Sequence, residues 1–130
     1  MRVLIVDDTS FMRYNLTNIL TGIGCDVVGE ASNGKEGVVQ YIKVKPDLVT
    51  MDITMPVMGG LQALKIIRQH DPKACVVMVS SMGQREFVME AIQSGAAGFI
   101  LKPFHMDKIK SMVERLKKGL PTVSLPINES

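Results

Sequence analysis

Short apolar runs alternate along this chain with longer segments whose apolar residues recur at helical spacing, and this alternation constrains the fold most. Three of the runs are apolar throughout, which is typical of strands in a parallel sheet that is covered by helices on both faces. The intervening segments are long enough to be the crossover helices that parallel strands require. The predicted strands are Val3–Val6, Val27–Gly29, Leu48–Met51, Val76–Val79 and Phe99–Leu101.

Helical periodicity predicts one helix after each of these strands. Glycine or proline marks most of the predicted ends, because glycine favours helix termination and proline disfavours a helical residue before it. The predicted helices are about Ser10–Thr21, the segment between Asn33-Gly34 and Lys45-Pro46, about Leu61–Gln69, about Arg85–Ser94 and about Met106–Lys118. Their predicted inner faces include Phe11, Met12, Leu16, Ile19 and Leu20 in the first helix, and Val38, Val39 and Ile42 in the second.

Five successive strand–helix units predict a small α/β domain over residues 1–118. Right-handed crossovers and the short length favour a flavodoxin-like (βα)5 doubly wound sandwich. In that fold a five-stranded parallel sheet of order 2-1-3-4-5 has helices on both faces. Residues 119–130 contain Pro121 and Pro126 without a strand pattern, so they are predicted to form a flexible C-terminal tail.

Composition and charge exclude several classes of protein. No apolar run approaches the roughly 20 residues of a membrane span, and the start lacks the features of a signal peptide. We therefore expect a cytoplasmic protein without membrane insertion. The net charge is only +2, and the basic residues of the last predicted helix fit a solvated face, so no direct nucleic-acid binding is expected. Cys25 and Cys75 are isolated and predict neither a metal site nor a disulfide framework.

Polar side chains stand at the carboxyl ends of four predicted strands, where an open α/β sheet places its ligands. Asp7 and Asp8 follow the first strand, and Asp52 follows the third. Ser80 follows the fourth strand and Lys102 the fifth. Three carboxylates, a hydroxyl and an amine are therefore predicted to meet at one edge of the sheet.

Such a cluster requires a counter-charge. Two carboxylates at about 4–6 Å repel by about 3–4 kcal/mol at an effective dielectric constant of 20, which a hard cation relieves. Mg2+ suits one or two carboxylates with waters and phosphate oxygens, so Asp7 or Asp8 with Asp52 makes a plausible site, and the backbone carbonyl of Thr54 is within reach. With the charge of Lys102 and the hydroxyl of Ser80, these groups are equipped for phosphoryl transfer to a carboxylate nucleophile.

Two other functions suit a chain of this fold class less well. A phosphatase-like hydrolase that uses Asp52 as nucleophile would need a second aspartate two residues on as general acid, where this chain has Thr54. A flavin-binding domain would need a phosphate loop rich in glycine and hydroxyl groups after the first strand. The chain instead has Asp7 and Asp8 at that point, and these would repel a phosphate unless a metal intervened.

The motifs at these strand ends resemble those of response-regulator receiver domains over roughly residues 1–118. The segment around Ser80 also resembles the single-domain chemotaxis regulators of that family. The motifs are Val3-Leu4-Ile5-Val6-Asp7-Asp8, Met51-Asp52-Ile53-Thr54-Met55-Pro56, Gly59-Gly60, Val79-Ser80-Ser81-Met82-Gly83-Gln84 and Phe99-Ile100-Leu101-Lys102-Pro103-Phe104.

The resemblance implies a role for each of these positions. Asp52 would be the phosphoacceptor, and Asp8 would bind Mg2+ directly while Asp7 acts through water. Ser80 and Lys102 would contact the phosphoryl group. Phe99 would be the aromatic switch residue, although it also suits a plain core position, and the Lys102-Pro103 bond would be cis.

The resemblance also implies partners. The phosphoryl donor would be a sensor histidine kinase (CheA-like), and the output partner a flagellar motor switch or other output protein. A phosphatase is a further candidate. The fourth helix, fifth strand and fifth helix would form the switched surface, with contacts at Arg85, Val88, Met89, Phe99 and Met112.

A chain of this kind is expected to be a monomer. It is expected to catalyse only its own phosphorylation and dephosphorylation and not to act as an enzyme on other substrates. The alternative is the receiver domain of a longer response regulator or of a phosphorelay protein.

Overall fold

The structure, a computed structural model, describes residues 1–120, in which five strands alternate with five helices. The strands are β1 (Arg2–Val6), β2 (Asp26–Ala31), β3 (Leu48–Met51), β4 (Val76–Ser80) and β5 (Gly98–Leu101). The helices are α1 (Ser10–Gly22), α2 (Gly34–Val44), α3 (Gly60–His70), α4 (Arg85–Gln93) and α5 (Met106–Lys117). The predicted helix and strand positions are confirmed, with β2 longer than expected. Of the predicted tail, residues 121–130 lie outside the described part of the chain.

The strands form one parallel sheet of order β2-β1-β3-β4-β5, which confirms the flavodoxin-like prediction. β1 and β3 pair in the middle, with Val6 opposite Met51. On the other side of β3, Met51 pairs with Met78 of β4, and Ser80 of β4 pairs with Leu101 of β5. The carboxyl ends of the strands therefore lie side by side along one edge.

Alternating side chains of each strand fill two separate cores. In β1, Val3 and Ile5 pack with α1 and α5, whereas Leu4 and Val6 pack with α2, α3 and α4. The same alternation continues in β4, where Val77 belongs to the first core and Met78 to the second. All these side chains are buried, as expected for a sheet covered on both faces.

Three residues predicted to face the core do not. Phe11 of α1 is 72% exposed, and Val39 and Ile42 of α2 are also exposed. Helix α2 instead buries a face with small residues, where Gly37 lies so close to Val6 that a Cβ would be only 3.0 Å from its Cγ1. The same face carries Tyr41, which is 6% exposed and whose hydroxyl donates to Asp71 Oδ2 at 2.7 Å. Close approach at the glycine selects this face over the more apolar one.

Three further features concern the described part of the chain. No helix within residues 1–120 has the length and apolar character needed to cross a bilayer. Cys25 is buried, Cys75 is half-buried, and both are free thiols. Helix α5 is followed by Gly119 at a φ of 71°, the left-handed conformation that commonly terminates a helix.

Candidate functional site

Three of the predicted site residues meet at the carboxyl edge of the sheet. Asp7 follows β1, Asp52 follows β3, and Lys102 follows β5. The ammonium of Lys102 bridges the two acids, with Nζ 2.8 Å from Asp7 Oδ2 and 3.2 Å from Asp52 Oδ2. The sheet order explains the contact, because these strands deliver their ends to one edge.

Asp7 has a partner at each of its polar atoms. Its backbone N–H donates to the carbonyl of Ala31 at 3.0 Å, and its carbonyl accepts from Arg13 Nη1 at 2.6 Å. In the side chain, Oδ1 accepts from the backbone N–H of Thr9 at 2.9 Å, while Oδ2 faces Lys102. The carboxylate of Asp7 is thus buried and held in one orientation.

Asp52 is a buried carboxylate, only 8% exposed. Burial raises its pKa above the usual range, and repulsion by Asp7 adds to this. The charge of Lys102 and the hydrogen bond from the Ile53 N–H to Oδ1, at 2.7 Å, act in the opposite direction. The raised pKa shows that Lys102 alone does not fully compensate the ionised form of Asp52.

Lys102 responds to the same neighbours. Burial by itself would lower the pKa of its ammonium, but the hydrogen bond to Asp7 and the charges of both acids outweigh burial and raise the pKa. The amine therefore stays protonated and serves as the counter-ion of the pair.

The site has the donor set of a hard-cation site. One carboxylate oxygen each of Asp7, Asp8 and Asp52 lies within 4.8 Å of the others. Asp8 is exposed, and within residues 1–120 its carboxylate forms no hydrogen bond or ion pair. Thr54 is exposed two residues after Asp52, and its carbonyl accepts no hydrogen bond from the described residues. An all-oxygen set with water access fits Mg2+.

The loop that carries Asp52 is packed against the start of α3. The N–H of Gly60 donates to the carbonyl of Ile53 at 2.7 Å. A Cβ at Gly60 would lie 1.8 Å from the backbone oxygen of Asp52, so a side chain there would displace the acid. The backbone of Asp52 therefore explains the glycine at position 60, while a Cβ at Gly59 would lie 3.1 Å from the carbonyl oxygen of Ile53.

Ser80 stands at the same edge of the sheet but its hydroxyl is not bonded to the charged cluster. It is fully buried at the end of β4, and its hydroxyl oxygen accepts from the backbone N–H of Met82 at 3.0 Å. Within residues 1–120 no side-chain hydrogen bond joins it to Asp52 or Lys102.

Phe99 is 4% exposed and belongs to the core formed with α2, α3 and α4. Its ring also lines a cleft of about 510 Å³ that reaches across β5 to α5, with Leu101, Phe104 and Lys108 among the other lining residues. Val88 and Met112 are also predicted to contact a partner, but both side chains are buried and do not form part of the exposed surface. Arg85 is exposed and Met89 half-buried, so they stay available.

Sequence reasoning missed Arg13 and Glu30. The guanidinium of Arg13 reaches back from α1 to the Asp7 carbonyl and forms an ion pair with Glu30, with Nε 3.0 Å from Oε1. Glu30 is the penultimate residue of β2, so its position near the carboxyl edge was a signal that could have been used. The reach of Arg13 could not be read from its spacing.

Several known proteins are similar to this chain. Residues 3–114 match the model of the response regulator receiver domain family. The chain is 50% identical over 117 residues to the chemotaxis protein CheY of Thermotoga maritima, covering 90% of this chain and 98% of that protein. It is also 50% identical over 114 residues to CheY of Bacillus subtilis, covering 88% and 95%.

A similar solved structure is the complex of CheX, CheY, BeF3 and Mg2+ from Borrelia burgdorferi. The matching chain has a TM-score of 0.88 at 37% identity, over 90% of this chain and 89% of that one.

Proposed function

Because this chain belongs to the response regulator receiver family, we propose that it is a phosphorylation-activated regulator of a two-component system, with Asp52 as the phosphoacceptor. The resemblance predicted from its motifs is confirmed. One observation carries the proposal: the buried Asp52 carboxylate shares Lys102 with Asp7 and lies within 4.8 Å of Asp8. Acids whose pKa is raised by burial and by acidic neighbours cluster at functional sites, which supports a function for Asp52.

In the proposed reaction, a carboxylate oxygen of Asp52 forms a P–O bond while the P–N bond of a phosphohistidine in the kinase breaks. Asp7, Asp8, Asp52 and the Thr54 carbonyl would hold Mg2+, which supplies positive charge to the phosphoryl oxygens. Lys102 supplies a second positive charge. The chain itself therefore contributes the nucleophile, its orientation by the Ile53 N–H, and charge neutralisation.

The proposed response begins at Ser80. A phosphoryl group adds about two negative charges and three acceptor oxygens. Its attraction for the Ser80 hydroxyl competes with the hydrogen bond from Met82, so Ser80 would turn and release the start of the loop before α4. Phe99 would then repack and change the surface formed by α4, β5 and α5.

The energy needed for this switch is modest. Moving a population from 1:99 to 99:1 takes about 5.5 kcal/mol of differential stabilisation. One or two hydrogen bonds to a charged group, at about 1.5–3 kcal/mol each, supply most of it. Partner binding supplies the remainder, so the free phosphoprotein is a graded two-state equilibrium.

The relatives indicate the kind of pathway. Both relatives are chemotaxis proteins, and the Borrelia CheY is bound to CheX. For this chain we propose a cytoplasmic, monomeric chemotaxis regulator that receives its phosphoryl group from a CheA-like histidine kinase. Its partner at the α4-β5-α5 surface would be a flagellar motor switch or another output protein, and a phosphatase would restore the ground state.

The experiment uses a small phosphodonor and intact-mass spectrometry. Wild type should gain one phosphoryl group with Mg2+ and none with a chelator, and Asp52→Asn should gain none. Asp26→Asn, which removes an exposed carboxylate at the far end of β2 from the site, is the matched control and should react like wild type. Undiminished phosphorylation of Asp52→Asn would refute the assignment.

A further inference from the structure

We propose that Arg13, held by Glu30, is a positioning residue that sets the geometry of the Asp7-Asp8 pair and so determines the affinity of the site for Mg2+. This inference rests on the function proposed above, because it concerns the same acidic site. Arg13 touches neither a carboxylate of the cluster nor a reacting atom, and it acts through the backbone between the two acids.

The contacts of Arg13 are specific. Its Nη1 donates to the carbonyl oxygen of Asp7 at 2.6 Å, while its Nε donates to Glu30 Oε1 at 3.0 Å. The side chain is 20% exposed, and its planar guanidinium satisfies both acceptors at once. A lysine, with one point charge and no fork, could not span the same two acceptors in this way.

The Asp7 carbonyl matters because its peptide group leads directly into Asp8. A peptide group is planar, so a hydrogen bond that fixes the Asp7 C=O also fixes the N–H and Cα of Asp8. Asp7 has three further anchors, namely Ala31, Thr9 and Lys102. The Asp8 carboxylate has none within residues 1–120, so its position follows from the two peptide groups that flank Asp8, one held by Arg13 at the Asp7 carbonyl and the other by Asp7 Oδ1 at the Thr9 N–H.

The positive charge of Arg13 would weaken Mg2+ binding, whereas its positioning role would strengthen it. The two effects can be measured separately. A guanidinium near the cluster disfavours a divalent cation, although the neighbouring carboxylate of Glu30 offsets part of this. If Arg13 acted only through its charge, Arg13→Met would strengthen Mg2+ binding and Arg13→Lys would leave it unchanged. If Arg13 acts by position, both variants weaken binding, and the loss persists at high ionic strength, where charge effects are screened.

The test is a calorimetric titration of the full chain with Mg2+ alone at low and high salt. Outer partners of metal ligands typically contribute 10–100-fold to affinity, and we expect about a 10-fold weaker Kd for Arg13→Lys and Arg13→Met. The matched control is Lys65→Met, which removes one positive charge from an exposed pair with Glu90 and should bind Mg2+ like wild type.

A second measurement uses the metal-free protein. Amide hydrogen exchange at Thr9, whose N–H donates to Asp7 Oδ1, should be faster in both Arg13 variants than in wild type and in Lys65→Met, because the neighbouring peptide plane is released. Urea denaturation of the same proteins separates this from a general loss of stability. A role in stability alone would lower the denaturation midpoint without changing the Kd.

The outcomes are distinct. An unchanged Kd in Arg13→Lys together with tighter binding by Arg13→Met would overturn the inference and leave the Mg2+-dependent function standing. An unchanged Kd with a lower denaturation midpoint would overturn it as well. Failure of wild type itself to bind Mg2+ would refute the inference and the proposed function together.

Discussion

On the face covered by α1 and α5, the sheet ends in charged side chains, whereas on the other face it ends in a hydroxyl and an aromatic ring. Alternation along the strands explains the division. Asp7 continues the series Val3 and Ile5, and Asp52 continues Leu48 and Thr50, toward α1 and α5. On the second face, β4 presents Val76, Met78 and then Ser80, and β5 presents Phe99.

The two faces are stabilised in different ways. The charged face depends on Lys102, whose removal would leave buried acids without a counter-ion. On the other face, Ser80 has a neutral hydrogen bond and Phe99 packs within an apolar core, so no buried charge depends on either side chain. Substitutions on the charged face should therefore change both stability and phosphorylation. Substitutions at the carboxyl end of the other face should change mainly the conformational response to phosphorylation.

Lys102→Met gives the largest expected effect. Removing one partner of a buried ion pair leaves an uncompensated charge, and the metal-free protein should lose about 3 kcal/mol of unfolding free energy at pH 7. Mg2+ should restore part of it, because the cation replaces the missing charge. Urea denaturation with and without Mg2+ measures both. Lys65→Met, from an exposed pair, should cost less than about 1 kcal/mol, and an equal loss in both variants would contradict the contrast.

Asp52→Asn should give a smaller, pH-dependent gain in the metal-free protein. Burial raises the folded pKa of Asp52, so the folded state holds this proton more tightly than the unfolded chain. The associated stability is present below about pH 4, the usual pKa of an aspartate, and is lost as pH rises through the folded pKa.

The asparagine amide of the variant does not ionise, so this loss of stability with rising pH does not occur. Asp52→Asn should therefore be more stable than wild type at pH 7, and the difference in unfolding free energy should vanish toward pH 4. Denaturation curves at both pH values measure it, with Asp26→Asn as control. A gain that is the same at both pH values would argue against a buried, ionised Asp52.

Thr50→Val tests the interior of the charged face. Thr50 is buried two residues before Asp52, and its hydroxyl has no hydrogen-bond partner within residues 1–120. Valine keeps the shape and removes the unsatisfied group, so we expect a gain of about 1 kcal/mol in unfolding free energy. Thr50→Ser, which keeps the hydroxyl and removes the methyl group, should be less stable than wild type. A loss of stability in Thr50→Val would reveal a polar partner for this hydroxyl.

Ser80→Ala should have the smallest effect on stability, about 0.5 kcal/mol, because it removes one hydrogen bond from a half-buried N–H. Phosphorylation should continue, but the response should be reduced. In NMR spectra, beryllofluoride should shift the amides of α4, β5 and α5 less than in wild type. Ser81→Ala, at an exposed position, is the control. A full response in Ser80→Ala would place the switch elsewhere.

Much of the site is determined by the order of residues alone. In a parallel sheet all carboxyl ends meet at one edge, so acids after β1 and β3 and an amine after β5 had to converge in some arrangement. The spacing of the motifs was therefore enough to predict that Asp7, Asp52 and Lys102 lie together. The alternation of strand and helix patterns was likewise enough for the fold class, because each period of apolar residues matches one type of element.

Only the tertiary structure decided which helix faces are buried and where long side chains end. Apolar residues recur at helical spacing on two faces of α2. The face with Gly37 and Tyr41 is buried because the glycine lets the helix approach the sheet closely, and the more apolar face with Val39 and Ile42 is exposed. Likewise, the ion pair of Arg13 with Glu30 depends on how α1 lies against β2, which no local pattern encodes. Local periodicity specifies an element, but contacts between elements are set by close packing, which depends on all of them together.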